Sequence, residues 1–475
     1  MPRPTVRVEI GLTRGMIFAV AIFSNRSIIS FMGRFSLSGF GSQYKVFMPL
    51  FWPVFAEQVL SVAIGLISTA MVAGAGGSAV AGVGLVGSVN FLVVQAFMAV
   101  SAGAAVVVSH CIGRGDRESA RKTAGQSLAL VFYISVIVGA VMIIFDRSIL
   151  NALFGDAEPE VLESARIYLL YSSLSLPLFG FYSTINGALR AAGDVKTPMR
   201  ASLAAIITNV TVAAAAIFVF DMGVAGAGLG VLAYRLAPIV VLTLHIRGGN
   251  SILSGIRLSP MVSLKFLRPV LSVAAPAGVD SVIFNGCKLL VQTFMAGMGT
   301  DVLTAYAILL NLTSLVNMPA GALSVLAVSV VGQTFGAGDV RRACREARQL
   351  QIMGSVFTVF IGIAMLIFLN PIIGIFKVNE TVRGLIYICT VIFIILAPLF
   401  WPPSFLTPNA LRSMGMARYT MYVSVGSMIL LRVFGAWFLG VFWGFGLYGI
   451  WTSMFLDWFG RGAFFMGALV KKGRG

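Results

Sequence analysis

Residues 91–116 read FLVVQAFMAVSAGAAVVVSHCIGRGD. No charged side chain occurs from Phe91 to Ser109, and a glycine-rich polar turn follows at Gly113-Arg114-Gly115-Asp116. A bilayer core is crossed by about 20 mostly apolar helical residues, so this stretch predicts a membrane span that ends in a sharp turn. The turn recurs: Ile112-Gly113-Arg114-Gly115-Asp116 is echoed by Phe335-Gly336-Ala337-Gly338-Asp339. Leu189-Arg190-Ala191-Ala192-Gly193 is echoed by Leu411-Arg412-Ser413-Met414-Gly415, and Pro53 with Glu57 by Pro276 with Asp280. The numbering shifts by nearly the same amount each time, from 112 to 335, from 189 to 411 and from 53 to 276. Three pairings, in order and at nearly one offset, predict a duplicated unit.

The composition agrees. The chain has 475 residues, of which 58% are hydrophobic and 11% charged, against about 25% charged in a soluble domain. Lipid is therefore the solvent over most of it. Apolar length places twelve spans near 47–73, 86–110, 124–145, 167–189, 199–220, 224–244, 267–298, 303–332, 350–369, 384–411, 419–440 and 446–469. The predicted fold is an all-α polytopic membrane protein with twelve transmembrane helices in two six-helix lobes. Parallel repeats of this kind are related by an axis along the membrane normal, with the substrate site between them. The expected organisation is a basic N-terminal tail at 1–45, an N-lobe at 46–245, a basic linker at 246–266, a C-lobe at 267–470 and a basic tail at 471–475. Residues 15–33 are broken by Asn25 and Arg26 and read as surface tail, not as a span. Met16, Met32 and Met48 are alternative initiators.

Charge fixes the orientation. Arginine and lysine crowd the loops after spans 2, 4, 6, 8 and 10 and the C-terminal tail, whereas the alternate loops carry Asp156, Glu158, Glu160 and Glu163. Positive loops stay inside, which puts both termini in the cytoplasm. The net charge of +17 thus reports topology, and no nucleic-acid partner is expected. Cys111, Cys287, Cys344 and Cys389 lack metal or disulfide spacing, and His110 and His245 read as ordinary interfacial residues. Gly82-x-Gly84-x-x-Gly87 matches a dinucleotide fingerprint as a string, but no strand precedes it; close helix packing explains it better. No Walker A sequence occurs, and no enzyme activity, metal or cofactor is expected.

Ionised groups in a bilayer cost about 2.5–3.5 kcal/mol on insertion scales, so those inside the spans need a reason. Glu57 lies about 15 Å into span 1, near the midplane, and Asp280 occupies the matching position in span 7. Both are candidate sodium or proton sites. Lys288, about 12 Å farther along the helix, shares the Asp280 face, and Asn285 and Gln292 are candidate cavity residues with it. Asp457 and Arg461 are four positions apart, as a structural ion pair requires. Arg235 and Arg432 read as snorkelling or paired cations. Pro398, Pro402, Pro403 and Pro408 predict that span 10 is bent or partly unwound.

Over residues 46–470 the chain resembles the multidrug and toxin extrusion (MATE) family, bacterial type. The resemblance rests on the Gly-x-Gly-Asp turns, on Leu-Arg-Ala-Ala-Gly-Asp-Val-Lys-Thr-Pro-Met at 189–199, and on Glu57-Gln58 and Asp457-Trp458. It implies a monomeric antiporter of the bacterial inner membrane, working by alternating access, that exports drugs, toxins or amphipathic and cationic metabolites against sodium or proton entry. Two family features are missing. The aspartate many members carry near the end of span 1 is replaced in Ile67-Ser68-Thr69, and the one some branches carry in span 10 is replaced by Trp401. The alternatives are a lipid-linked saccharide flippase of the same broad superfamily, which would need a cavity rich in arginine and lysine, and a non-transporting membrane scaffold.

The orientation predicts a labelling pattern in intact cells. In a cysteine-free background, an impermeant thiol reagent should reach a cysteine placed at Glu158 and miss cysteines placed in the 111–123, 245–266 and 333–349 loops. The reverse pattern would invert the topology.

Overall fold

The computed structural model describes residues 40–74, 76–249, 251–256 and 263–474. Most of the 1–45 tail, and Arg257, lie outside them. The described chain is helical, and its helices fall on the twelve expected spans. Spans 1 to 3 are Phe40–Ala73, Gly77–Gly113 and Arg117–Ile144, and a short helix, Asp146–Phe154, precedes span 4. Span 4 is built from Pro159–Leu174 and Leu176–Ala191, which meet at Ser175; span 5 is Lys196–Ala214 and span 6 Gly223–Arg247. The C-lobe repeats the pattern with Leu264–Ala296, Thr300–Gly336, Val340–Ile375, Glu380–Ser413, Ala417–Ser427 and Gly446–Arg474. Span 5 continues as a π-helix over Ala215–Val219, and span 11 as π-helix over Met428–Phe434 and Ala436–Phe442.

Large apolar side chains cover the outside, among them Ile137 (63% exposed), Phe360 (64%) and Ile367 (69%). Such a continuous apolar surface is stable against lipid and not against water. The core lies inside each lobe. In the C-lobe, Phe393 packs with Trp451, Phe455 and Trp458. Phe47 and Phe51 of span 1 reach across to the C-lobe, and Phe51 stacks on Phe357 of span 9 at 4.8 Å between ring centres.

Span 10 is not unwound. Despite four prolines it runs as one α-helix from Glu380 to Ser413. Proline frees a carbonyl only one turn back, and packed neighbours can satisfy or tolerate it. The irregular backbone is instead in spans 4, 5 and 11.

The repeated turn motif has a separate reason for each residue. Gly115 and Gly338 take φ of 78° and 92°, left-handed values that disfavour any Cβ. Asp116 and Asp339 cap the next helices, accepting hydrogen bonds from the backbone N–H of Ser119 (2.9 Å) and Arg342 (2.8 Å). The bonds from Ser119 hold Asp116 below the usual carboxylate range. The first glycines serve a different purpose. A Cβ on Gly113 would collide with the Gln333 carbonyl oxygen, and one on Gly336 with that of His110. Spans 2 and 8 therefore cross backbone to backbone where the lobes meet, at the end of the molecule that carries the arginine-rich loops. We call this end the basic face.

Candidate functional site

The repeated carboxylates meet the repeated arginines. In the N-lobe, Glu57 Oε1 accepts hydrogen bonds from Asn186 Nδ2 (3.0 Å) and Ser202 Oγ (3.3 Å), and Arg190 Nη2 stands 3.4 Å away. Arg190 Nε donates to Asn186 Oδ1 at 2.9 Å. In the C-lobe, Arg412 Nη2 donates to Asp280 Oδ2, while Arg412 Nη1 is 3.2 Å from Asn409 Oδ1. Asn186 and Asn409 are themselves partners in the repeat. The two lobes thus hold one arrangement twice: a carboxylate on the first span of the repeat, and an asparagine and an arginine on the last turns of the fourth.

This places both carboxylates nearer the basic face than the midplane. Asn186 is little more than one turn short of the helix end at Ala191, about 7.5 Å along the axis. Depth counted from the first apolar residue fails because spans 1 and 7 are long. They run 34 and 33 residues, or about 50 Å at 1.5 Å per residue, against a core of about 30 Å.

The residues next to these arginines join the lobes. His110 Nε2 lies 2.5 Å from the Ser413 carbonyl oxygen, which accepts a hydrogen bond when that nitrogen carries the proton. Gln333 Nε2 donates to the Ala191 carbonyl oxygen at 2.7 Å. His110 and Gln333 are repeat partners, as are Ala191 and Ser413. Each lobe therefore reaches from the end of its second span to the open carbonyl end of a helix in the other lobe, beside the Gly113 and Gly336 crossings. His110 is thus more than an interfacial residue. The repeat offset is the sequence signal for this contact, because it pairs His110 with Gln333, but only the fold brings them to opposite helix ends.

A second charged group lies deeper in the C-lobe. Asp457 is fully buried and accepts from Ser427 Oγ at 2.6 Å. Its other oxygen is 3.4 Å from Arg461 Nη2 and 3.7 Å from Arg432 Nη1, so Arg461 shares Asp457 with Arg432 of span 11. Lys288 Nζ stands 5.9 Å from the Phe284 ring centre. Asn285 donates to the Ser281 carbonyl of its own helix, and Gln292 is exposed one turn from the span end; among the described residues neither bonds to the charged group. In the N-lobe, Arg235 donates to Ser175 Oγ at 2.7 Å, where span 4 is interrupted, and lies 5.0 Å over the Phe179 ring.

A two-lobed bundle of parallel six-span repeats, closed at one face and carrying buried charge in each lobe, defines a membrane transporter. The MatE family model matches residues 53–215 and again 276–438, more than half of the chain, and the chain belongs to that family. The two matches are separated by the same offset as the repeated motifs and correspond to the two lobes. Among relatives, a Thermotoga maritima protein named Probable multidrug resistance protein NorM is 28% identical over 419 residues, 87% of this chain and 89% of its own. The fold matches a MATE transporter solved in a bent conformation, with TM-score 0.81 and 18% identity over 91% of this chain and 97% of that one. It also matches the outward-facing conformation of a multidrug resistance MATE family transporter of the MOP superfamily, with TM-score 0.81 and 17% identity over 89% and 95% of the two chains.

The ion pairs make a stability prediction. Arg412→Met should deprive Asp280 of its nearest cation, leaving Ser424 and the field of Arg461, and cost about 3 kcal/mol. Adding Asp280→Asn to Arg412→Met should recover most of that loss, read as the thermal unfolding midpoint in detergent. Additive losses in the double variant would show that the pair does not act as a unit.

Proposed function

We propose that this protein is an ion-coupled antiporter of the bacterial inner membrane that exports amphipathic small molecules, with its basic face cytoplasmic. The export reading draws on the family and on the multidrug-resistance name of the Thermotoga relative. The observation that carries the coupling is a one-residue adjacency: Arg190, paired with Glu57, precedes Ala191, whose carbonyl Gln333 holds, and Arg412, paired with Asp280, precedes Ser413, whose carbonyl His110 holds.

With both carboxylates ionised, each arginine is drawn inward and the end of its span is fixed where the opposite lobe can grip it. A proton or sodium ion arriving at Glu57 or Asp280 competes with the arginine for the same oxygens. The arginine is then released toward water, the helix end loses its anchor, and the two carbonyl contacts weaken together. Opening of the basic face follows, the ion leaves to the cytoplasm, and cargo enters. Re-ionised carboxylates recapture the arginines and close the face. The ion thus acts on the equilibrium between two lobe arrangements, and its differential affinity for the two is the coupling free energy.

Proteoliposomes with imposed sodium or proton gradients test this reading. Asp280→Asn keeps size and most hydrogen bonding but cannot titrate, and it should reduce gradient-driven efflux to the level of protein-free vesicles while the variant stays monodisperse. Glu57→Gln reports whether the N-lobe carries an ion as well. Wild-type efflux with unchanged ion dependence in Asp280→Asn would make Asp280 a structural residue only.

A further inference from the structure

The deep charged group of the C-lobe has too few anions. Lys288 Nζ, Arg432 Cζ and Arg461 Cζ lie 5.9, 5.9 and 5.8 Å from the centre of one ring, Phe284. With Arg412 beside them there are four cations, against Asp280 and Asp457. Asp280 is engaged by Arg412. Asp457 offers one oxygen to two arginines, at distances longer than a charge-assisted hydrogen bond of about 2.7–2.9 Å. The side chains of Arg432 and Arg461 are only 8% and 3% exposed.

Three donors here are also idle. Arg432 Nε, Arg461 Nε and Trp458 Nε1 are buried without a hydrogen-bond partner among the described residues. Buried donors are almost always satisfied, and surplus charge in a membrane interior is costly. One kind of ligand removes both costs: a group with negative charge and several acceptor oxygens. The surrounding surface is aromatic. Phe405 stacks on Trp401 at 4.9 Å, meets Trp458 edge-on at 5.7 Å, and lies 4.6 Å from Arg461 Cζ. Phe284, Lys288, Trp401 and Phe405 are each partly exposed and form the approach to the buried arginines.

We infer that this cluster recognises an oxyanion, a carboxylate, phosphate or sulfonate, borne on an apolar or aromatic body. Lys288 and Arg432 bind the anion, Arg461 orients it from above Asp457, and the rings hold the apolar part. The inference rests on the transporter reading, because it takes the cluster as the cargo site, and it replaces the cationic cargo that family resemblance implies with an anionic one. Among the described residues the N-lobe shows no equivalent cluster of cations: Arg235 donates to Ser175 and lies over Phe179, with Tyr168 and Tyr234 nearby. Asp280 lies about 12 Å along span 7 from Lys288, while Arg461 feels both Asp280 and Asp457, so the ion and cargo places adjoin through Arg461.

Calorimetry on the purified full chain in neutral detergent tests the inference with three probes of nearly one shape: 1-naphthoate, 1-naphthamide and 1-naphthylmethylammonium. The carboxylate should bind at least about tenfold more tightly than either other probe. Lys288→Gln, at a partly exposed position, and Arg432→Met should each remove that preference. Should Arg432→Met fail to fold, Lys288→Gln alone decides. Equal binding of all three probes, tighter binding of the ammonium, or an anion preference that survives Lys288→Gln would overturn the assignment. Repeating the titration with phosphatidylglycerol in the micelle separates two sources of the same chemistry. Competition that is lost in Lys288→Gln points to a lipid headgroup, and undiminished naphthoate binding points to a soluble cargo; both support the anion site. No ion gradient is used, so loss of gradient-driven efflux with anion binding intact would count against the antiporter reading alone.

Discussion

A carboxylate in a low-dielectric interior must have a partner, and two arginine–carboxylate pairs organise this molecule. Arg190 with Glu57 and Arg412 with Asp280 tie the last turn of the fourth span in each lobe to the middle of the first. Much of the basic face depends on where those turns end. Ala191 and Ser413 must present free carbonyls to Gln333 and His110. Gly113 and Gly336 must lack side chains so that the second spans can approach closely enough to supply those donors. Gly193 and Gly415, with φ of 92° and 81°, then turn the chain away at once.

The two lobes share this frame but not their deeper polar groups. Arg235 and Asp457 lie on matching turns of spans 6 and 12, one position out of register: Gly223 and Gly226 align with Gly446 and Gly449, which sets Tyr234 opposite Asp457. That turn thus carries a cation bonded to Ser175 in one lobe and a shared anion among arginines in the other. Duplication supplied the scaffold and the closure, and divergence concentrated the charge in the C-lobe. The irregular backbone follows a similar rule. Ser175 interrupts span 4 where Arg235 needs an acceptor, and the π-turns of span 11 include Arg432. Helical irregularities of this kind are common at functional sites.

Much of the fold was legible in the sequence because lipid imposes a simple code: apolar length gives spans, and a fixed repeat offset gives two lobes. The motif glycines and aspartates were recognisable as a turn, yet their separate tasks were not, since close approach at Gly113 depends on a helix of the other lobe. Glu57 and Asp280 stood out as charges in apolar runs. Their arginine partners did not, because Arg190 and Arg412 read as loop cations under the positive-inside pattern. Lys288 was visible as a lone cation, and its companions around Phe284 were not, because three spans converge there only after folding. The prolines of span 10 illustrate the limit of a local rule: it allowed a bend or a partial unwinding, and the helix runs on through them without unwinding.

The central claim is that neutralising the two carboxylates releases the basic face, and lobe separation measures it directly. Spin labels at Arg114 and Ala337, just past the ends of spans 2 and 8, would report the distance between the lobes in lipid nanodiscs. A short distance is expected when Glu57 and Asp280 are ionised. A longer one is expected on acidification or on adding sodium, and in the Glu57→Gln, Asp280→Asn double variant under all conditions. A distance that stays short in the double variant and ignores both ions would contradict the account.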